Sequence, residues 1–128
     1  MAKIIIVEDD YNVANIYKNK LTEKGHDVKI VGDVAAVNEI SQEKPDLVLL
    51  DILMPNVSGL SILRELRDNP EFENLPIIIL TNVEKSNEIE QAVKLGVSGY
   101  LLKSEIDLES LSRRVEEFLA QSKNKGAV

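Results

Sequence analysis

Two spacings of apolar residues alternate along the 128-residue chain, and the alternation predicts five strand–helix units. Lys3 to Val7 is a β-branched apolar run stopped by Glu8-Asp9-Asp10, which reads as a strand buried on both faces. From Val13 the spacing lengthens: Val13, Ile16, Tyr17 and Leu21 predict one face of a helix that ends at Gly25. Val28, Ile30 and Val31 predict a second strand. Asp33 is expected to cap a helix with Val34, Val37 and Ile40 inward, closed before Pro45. Leu47 to Leu50 form the third apolar run, and it stops at Asp51. Pro55, Asn56 and Ser58-Gly59 then mark a loop and a helix start, with Leu60, Leu63 and Leu66 inward as far as Asn69-Pro70. Pro76 opens the strand Ile77 to Thr81. Ser86 is expected to cap a fourth helix with Ile89, Ala92 and Val93 inward, ended by Gly96. Gly99 to Lys103 reads as the fifth strand. Asp107 starts a last helix whose inward face is Leu108, Leu111, Val115, Phe118 and Leu119.

Strict alternation of strand and helix implies a parallel five-stranded sheet with helices on both faces, a three-layer α/β sandwich. Right-handed crossovers leave few topologies, and the doubly wound order 2-1-3-4-5 fits best. Its switch point lies between strands 1 and 3, where ligands bind outside the carboxyl ends of the strands. Glu8 and Asp9 are therefore expected to meet Asp51 in one crevice, with Thr81 and Lys103 ending the two neighbouring strands. Neither a repeat nor a low-complexity block interrupts the pattern. One domain over residues 1–122 is expected, followed by a polar tail at 123–128 whose composition favours disorder.

Composition narrows the chemistry. Fifteen basic against 22 acidic side chains give a net charge of −7, which disfavours nucleic acid or an anionic membrane as partner. The absence of cysteine removes disulfides, thiolate catalysis and Cys-based metal sites. Apolar runs are too short to span a membrane, and acids interrupt the first one at once, unlike a signal peptide. A cytoplasmic protein is expected. The single histidine, His26, sits beside Gly25 and is expected to be exposed.

Glu8, Asp9 and Asp51 placed together would repel; two charges 4 Å apart do so by roughly 4 kcal/mol at an effective dielectric near 20. Such a cluster raises a pKa or recruits a cation. Carboxylate oxygens without cysteine suit Mg²⁺, which keeps waters and accepts phosphate oxygens. Thr81 adds a hydroxyl donor and Lys103 an ammonium. A nucleophilic carboxylate, a metal site, a hydroxyl and a cation together suit phosphoryl transfer, which needs positioning and charge neutralisation. Taken singly each residue has a plainer explanation: Asp9 or Asp10 as a helix cap, Asp51 as a turn residue, Thr81 as a strand residue, Lys103 as a solvated lysine. Their arrival at one sheet edge is what the plainer explanations leave out. A flavin mononucleotide site would need a neutral or basic loop where Glu8-Asp9-Asp10 stands. An aspartyl-phosphate-forming phosphohydrolase would carry a second acid where Leu53 stands. The nucleotide fingerprints GxGxxG and GxxxxGK[ST] are absent.

The ordered set Ile-Val-Glu8-Asp9-Asp10, Leu-Leu-Asp51-x-x-Met54-Pro55-x-x-x-Gly59, Ile-Ile-Leu-Thr81 and Gly96-x-x-x-Tyr100-Leu-x-Lys103 resembles the receiver domain of bacterial response regulators, from about Lys3 to about Ala120. The resemblance implies a flavodoxin-like fold and a role in two-component or phosphorelay signalling. It implies that Asp51 accepts a phosphoryl group from a phosphohistidine on a sensor histidine kinase or a histidine phosphotransfer protein. It further implies Mg²⁺ held by Asp9, Asp51 and the backbone carbonyl of Leu53, with Glu8 acting through water. Lys103 then partners the carboxylate and the phosphoryl oxygen, and Thr81 and Tyr100 form a switch pair. A downstream protein would read the face made by the fourth helix, fifth strand and fifth helix. The resemblance describes a phosphoacceptor switch that stands alone and is not a turnover enzyme; a scaffold that binds partners without phosphorylation is the alternative. Besides the missing output domain, two departures from the family pattern stand out. Ser104 follows Lys103 where proline, often cis, is usual, so the bond is either trans or strained. Asn82 follows Thr81 in place of a small residue and is expected to narrow access to Asp51. Leu53 and Val83, flanking the site, cannot orient a hydrolytic water, so slow loss of the phosphoryl group is expected.

Overall fold

The computed structural model describes residues 2–82 and 87–126, with side chains as far as Gln121. Five parallel strands form one sheet in the order β2-β1-β3-β4-β5. In chain order the elements are β1 (Lys3–Val7), α1 (Tyr11–Glu23), β2 (Asp27–Val31), α2 (Ala36–Glu43), β3 (Leu47–Asp51), α3 (Gly59–Asp68), a 3-10 turn (Pro70–Phe72), β4 (Ile77–Thr81), α4 (Asn87–Lys94), β5 (Gly99–Leu102) and α5 (Leu108–Gly126). The expected doubly wound α/β sandwich is the observed one.

Because strand side chains alternate between faces, each apolar run supplies two cores at once. Ile5, Val7, Val48, Leu50, Ile77 and Ile79 pack on one face under residues of α2, α3 and α4. Ile4, Ile6, Leu47, Leu49, Ile78 and Leu80 pack on the other under α1 and α5. β3 and β4 are wholly buried and β1 is buried from Ile4 onward, which is why their sequences show no polar alternation.

Several expectations fail for local geometric reasons. In α1 the buried stripe is Ala14, Tyr17 and Leu21, so Ile16, 100° around the helix from Tyr17, is exposed. Asp33 does not cap α2. Its N-cap is Ala35, without a side-chain bond, and Val34 precedes the helix and is exposed. The Asp33 carboxylate is turned inward to another loop, described below. Val93 and Leu108 also face solvent, because the stripe buried by α4 is Ile89 and Ala92 and that of α5 begins at Leu111. Ser86 and Val83 lie outside the described residues. The backbone of α5 stays helical to Gly126, against the disordered tail expected after residue 122.

His26 is the clearest correction: it is 8% exposed, not a surface residue. Its Nδ1 accepts the Ala2 N–H at 3.1 Å, and its Nε2 meets the Glu116 carboxylate of α5. The turn after Gly25 folds the ring back over the start of β1, so a buried ring and a polar sequence context coexist. At the same end of the sheet, Arg67 donates to the carbonyls of Phe72, Leu75, Leu95 and Gly96 at 2.7–3.0 Å. It thereby closes the loops that lead into β4 and β5.

At the other end, the approach of α3 to β3 depends on Gly59. Its N–H donates to the Ile52 carbonyl at 2.8 Å, and a Cβ built on it would lie 2.1 Å from the Asp51 carbonyl oxygen. A methyl group there must push α3 away from the end of β3. Gly59→Ala is expected to lower stability by about 1–3 kcal/mol, the usual cost of overpacking. Gly32→Ala, where a Cβ would meet nothing within 4 Å, is the control and should change little. Urea unfolding of both variants against the parent measures the difference.

Candidate functional site

Register decides which strand-end side chains meet. Ile6 pairs with Leu49 and Val7 with Leu50, so the next residues along, Glu8 and Asp51, are neighbours at the carboxyl ends of β1 and β3. Both continue the face that carries Ile6 and Leu49, the α1/α5 side. Asp51 pairs with Leu80 and Leu80 with Leu101. Lys103, two residues beyond Leu101, lies on the same face and reaches across β4. Three charged residues thus converge on one side of the sheet edge.

The contacts follow from that placement. The Lys103 ammonium lies 2.6 Å from Glu8 Oε2 and 3.1 Å from Asp51 Oδ2. Asp51 is only 6% exposed and Glu8 is equally buried. Burial, and then repulsion from Glu8, push the Asp51 carboxyl up to about 6 despite the ammonium beside it. Burial also pulls on Lys103, but Glu8 and Asp51 together outweigh it and hold its pKa above the ordinary value. One cation is neutralising two carboxylates.

Asp9 stands at the rim, exposed. Its carboxyl is raised, first by desolvation and then by the nearby charge of Asp33, while the Asp33 backbone N–H opposes the rise. Asp10 takes the helix-cap role, accepting the Asn12 and Val13 N–H groups at 3.1 and 3.3 Å. Leu53 lies beside the site with its side chain 61% exposed, and its N–H donates to Asp51 Oδ1 at 3.4 Å. Among the described residues, no three His, Cys, Asp or Glu side chains cluster tightly enough to hold a metal unaided. Mg²⁺ commonly uses one or two carboxylates together with carbonyls and waters. The donors present are all hard oxygens, and Glu8 and Asp33 each add to the rise of a neighbouring carboxyl, Asp51 and Asp9, that burial raises first. The residues fit that ion.

Thr81 belongs to the opposite face. It continues the row of Ile79, whose partner on β5 is Tyr100. Thr81 is buried, whereas Tyr100 is 41% exposed and turned outward. Hydroxyl and ring therefore share one face of adjacent strands, separated by the sheet from the Lys103 side. The Lys103–Ser104 peptide is trans, as are all those described. Asn82 is exposed beyond Thr81. Sequence reasoning overlooked Asp33, whose short polar context reads as a helix cap; no local signal shows that it bonds a loop more than twenty residues away.

A doubly wound α/β domain with a lysine-bridged carboxylate pair at its switch point is a small, well-populated class. The sequence model of the response regulator receiver domain matches residues 4–116, and the chain belongs to that family. It is 32% identical over 129 residues to the response regulator ArlR of Staphylococcus saprophyticus, covering 100% of this chain and 57% of ArlR. It is 33% identical to the phosphate regulon transcriptional regulatory protein PhoB of Rhizobium meliloti, covering 96% of this chain and 54% of PhoB. The chain therefore spans little more than half the length of these relatives. Among solved structures, the receiver domain of Francisella response regulator 1452 superposes with a TM-score of 0.85 at 28% identity, covering 95% of this chain and 99% of that one. The chain is a receiver domain of two-component signalling, a class that histidine kinases phosphorylate. Among the described residues, no helix is long and apolar enough to cross a membrane.

The raised Asp51 carboxyl has a thermodynamic sign. In the unfolded chain it ionises near 3.8, and in the folded protein at about 6. The folded state therefore binds the extra proton between those values, and stability from this group falls as pH rises from about 4 through about 6. In metal-free protein, Asp51→Asn should raise the melting temperature at pH 7.5. The gain should shrink as pH falls through that window. Thermal melts of parent and variant in a chelator, across the range, measure it.

Proposed function

We propose that Asp51 accepts a phosphoryl group from a phosphohistidine on a sensor histidine kinase or a histidine phosphotransfer protein. The supporting observation is the Lys103 ammonium lying between Glu8 Oε2 at 2.6 Å and Asp51 Oδ2 at 3.1 Å. It leaves a buried carboxylate whose charge is only shared, at the mouth of an acidic crevice. An Asp51 oxygen forms the new bond to phosphorus as the donor's phosphorus–nitrogen bond breaks. The bonding pair stays on the imidazole nitrogen. Near neutral pH most Asp51 is ionised and ready to attack, since its pKa lies at about 6.

Asp9, Asp51 and the Leu53 carbonyl would hold Mg²⁺, with Glu8 acting through water. Bound there, the ion offsets the charge of the acids and of the incoming phosphoryl oxygens. Lys103, already in contact with Asp51, would pass to a phosphoryl oxygen once the carboxylate carries the phosphoryl group as an acyl phosphate. The Thr81 hydroxyl turns to a second oxygen, and the space it leaves on its face is open to the Tyr100 ring. A shallow groove lined by Tyr100, Leu102, Glu105, Ile106, Arg113 and Arg114 lies beside that ring. Its shape would change with the ring, so a downstream protein at the α4-β5-α5 face can distinguish the two states. The site acts as a phosphoacceptor switch in the cytoplasm, with slow loss of the group because Leu53 offers no polar atom to guide a water.

With Mg²⁺ and acetyl phosphate, the intact mass should rise by one phosphoryl group. Chelator or Asp51→Asn should abolish the gain. No gain in the parent chain would instead favour a scaffold that binds without phosphorylation, and a gain persisting in the Asp51 variant would move the acceptor elsewhere. Asn82→Ala should label faster with the same small donor, since it clears the approach to Asp51.

A further inference from the structure

Asp33 takes no part in the reaction described, yet its carboxylate is 5% exposed and points into the protein. Oδ1 accepts the Val34 N–H at 2.9 Å. Oδ2 accepts the Asn56 N–H at 2.8 Å and the Val57 N–H at 2.9 Å. The Asn56 and Val57 amides belong to the turn between β3 and α3, whereas Val34 directly follows Asp33 in its own loop. Three amides converging on one carboxylate favour its charged form and hold its pKa below the usual range, Val57 contributing most.

The connection from Ile52 to Gly59 needs such a restraint. Its ends are pinned by the Ile52 N–H on the Leu80 carbonyl and the Gly59 N–H on the Ile52 carbonyl. Between them lie Leu53, whose N–H donates to Asp51 Oδ1 at 3.4 Å, and then Met54 and Pro55. Among the described residues, Asp33 is the side chain from another element that bonds this intervening backbone. In the other direction the Asp33 N–H faces the Asp9 carboxylate. One residue of the β2–α2 loop therefore touches both the acidic rim after β1 and the loop after β3.

We propose that Asp33 is a positioning residue, which sets the Leu53 carbonyl at its working distance from Asp9 and Asp51 by holding the Asn56 and Val57 amides. This rests on the reading of Asp51 as a Mg²⁺-assisted phosphoacceptor. The role is geometric: what matters is an oxygen that takes two amide bonds, not the extra negative charge near Asp9. Asp33→Asn keeps such an oxygen and loses the charge. Asp33→Ala loses both.

The test compares both variants with the parent in the full chain. In metal-free protein, NMR-detected hydrogen exchange at the Asn56 and Val57 amides should speed up strongly in Asp33→Ala and far less in Asp33→Asn. Mg²⁺ titrated alone should bind Asp33→Ala about 10- to 100-fold more weakly, the usual effect of removing a support behind a metal ligand. Asp33→Asn should keep most of the affinity. Labelling by acetyl phosphate should fall in Asp33→Ala at low Mg²⁺ and recover at saturating Mg²⁺, a split that a general loss of stability would not produce. If Asp33→Ala does not fold, Asp33→Ser, too short to reach both amides, takes its place. Parental amide protection and Mg²⁺ affinity in the truncated variant would overturn the proposal, as would an equal loss in Asp33→Asn. A parent chain that binds Mg²⁺ but takes no phosphoryl group overturns the Asp51 reading instead, and leaves Asp33 to be decided by exchange and titration.

Discussion

A single ammonium between two buried carboxylates sets the terms for everything at the carboxyl edge of this sheet. Glu8 and Asp51 are adjacent by register and nearly closed to water, so their repulsion cannot be relieved by solvent. Lys103 offsets it only in part: burial first, and Glu8 second, still leave the Asp51 carboxyl raised. Two carboxylates share one ammonium, so the site keeps an excess of negative charge that a divalent ion would offset.

The sheet separates two tasks by the parity of its strands. Glu8, Asp51 and Lys103 continue the rows of Ile6, Leu49 and Leu101 on the α1/α5 side, where charge is collected. Thr81 and Tyr100 continue the rows on the opposite side, where a hydroxyl and a half-exposed ring can move without disturbing the ion pair. Two groups thus link Asp51 to β5: Lys103, in direct contact with it at 3.1 Å, and Thr81, which ends the strand lying between. Gly59 and Asp33 brace the same region from the other flank, one by allowing α3 to close on the Asp51 carbonyl, the other by holding the loop in between.

The opposite end of the molecule is organised differently. His26 and Arg67 spend their polar atoms on backbone groups and on Glu116, and none of them lines the crevice. They tie together the loops at the amino ends of the strands, away from the edge that carries Glu8, Asp51 and Lys103. The close likeness of fold to the Francisella receiver domain at 28% identity fits a scaffold defined by layer pattern, with much of its surface free to vary.

Five apolar runs alternating with helical spacing were enough to specify layers, strand order and the edge where Glu8, Asp51, Thr81 and Lys103 end, because burial on two faces leaves a parallel strand no polar alternation. Motif spacing was enough to specify the family, since each motif closes a different strand. Local spacing could not say which side of a helix is covered: Ile16, Val93 and Leu108 are apolar and exposed because the packing stripe is set by neighbouring elements. Nor could it assign partners to buried polar groups. His26 and Asp33 look like surface and cap residues in their own windows, and only the folded chain brings Ala2 and Glu116 to the one and Asn56 and Val57 to the other. Hydrophobic period is a local property of the chain, whereas the satisfaction of a buried charge depends on residues that only tertiary contacts bring near.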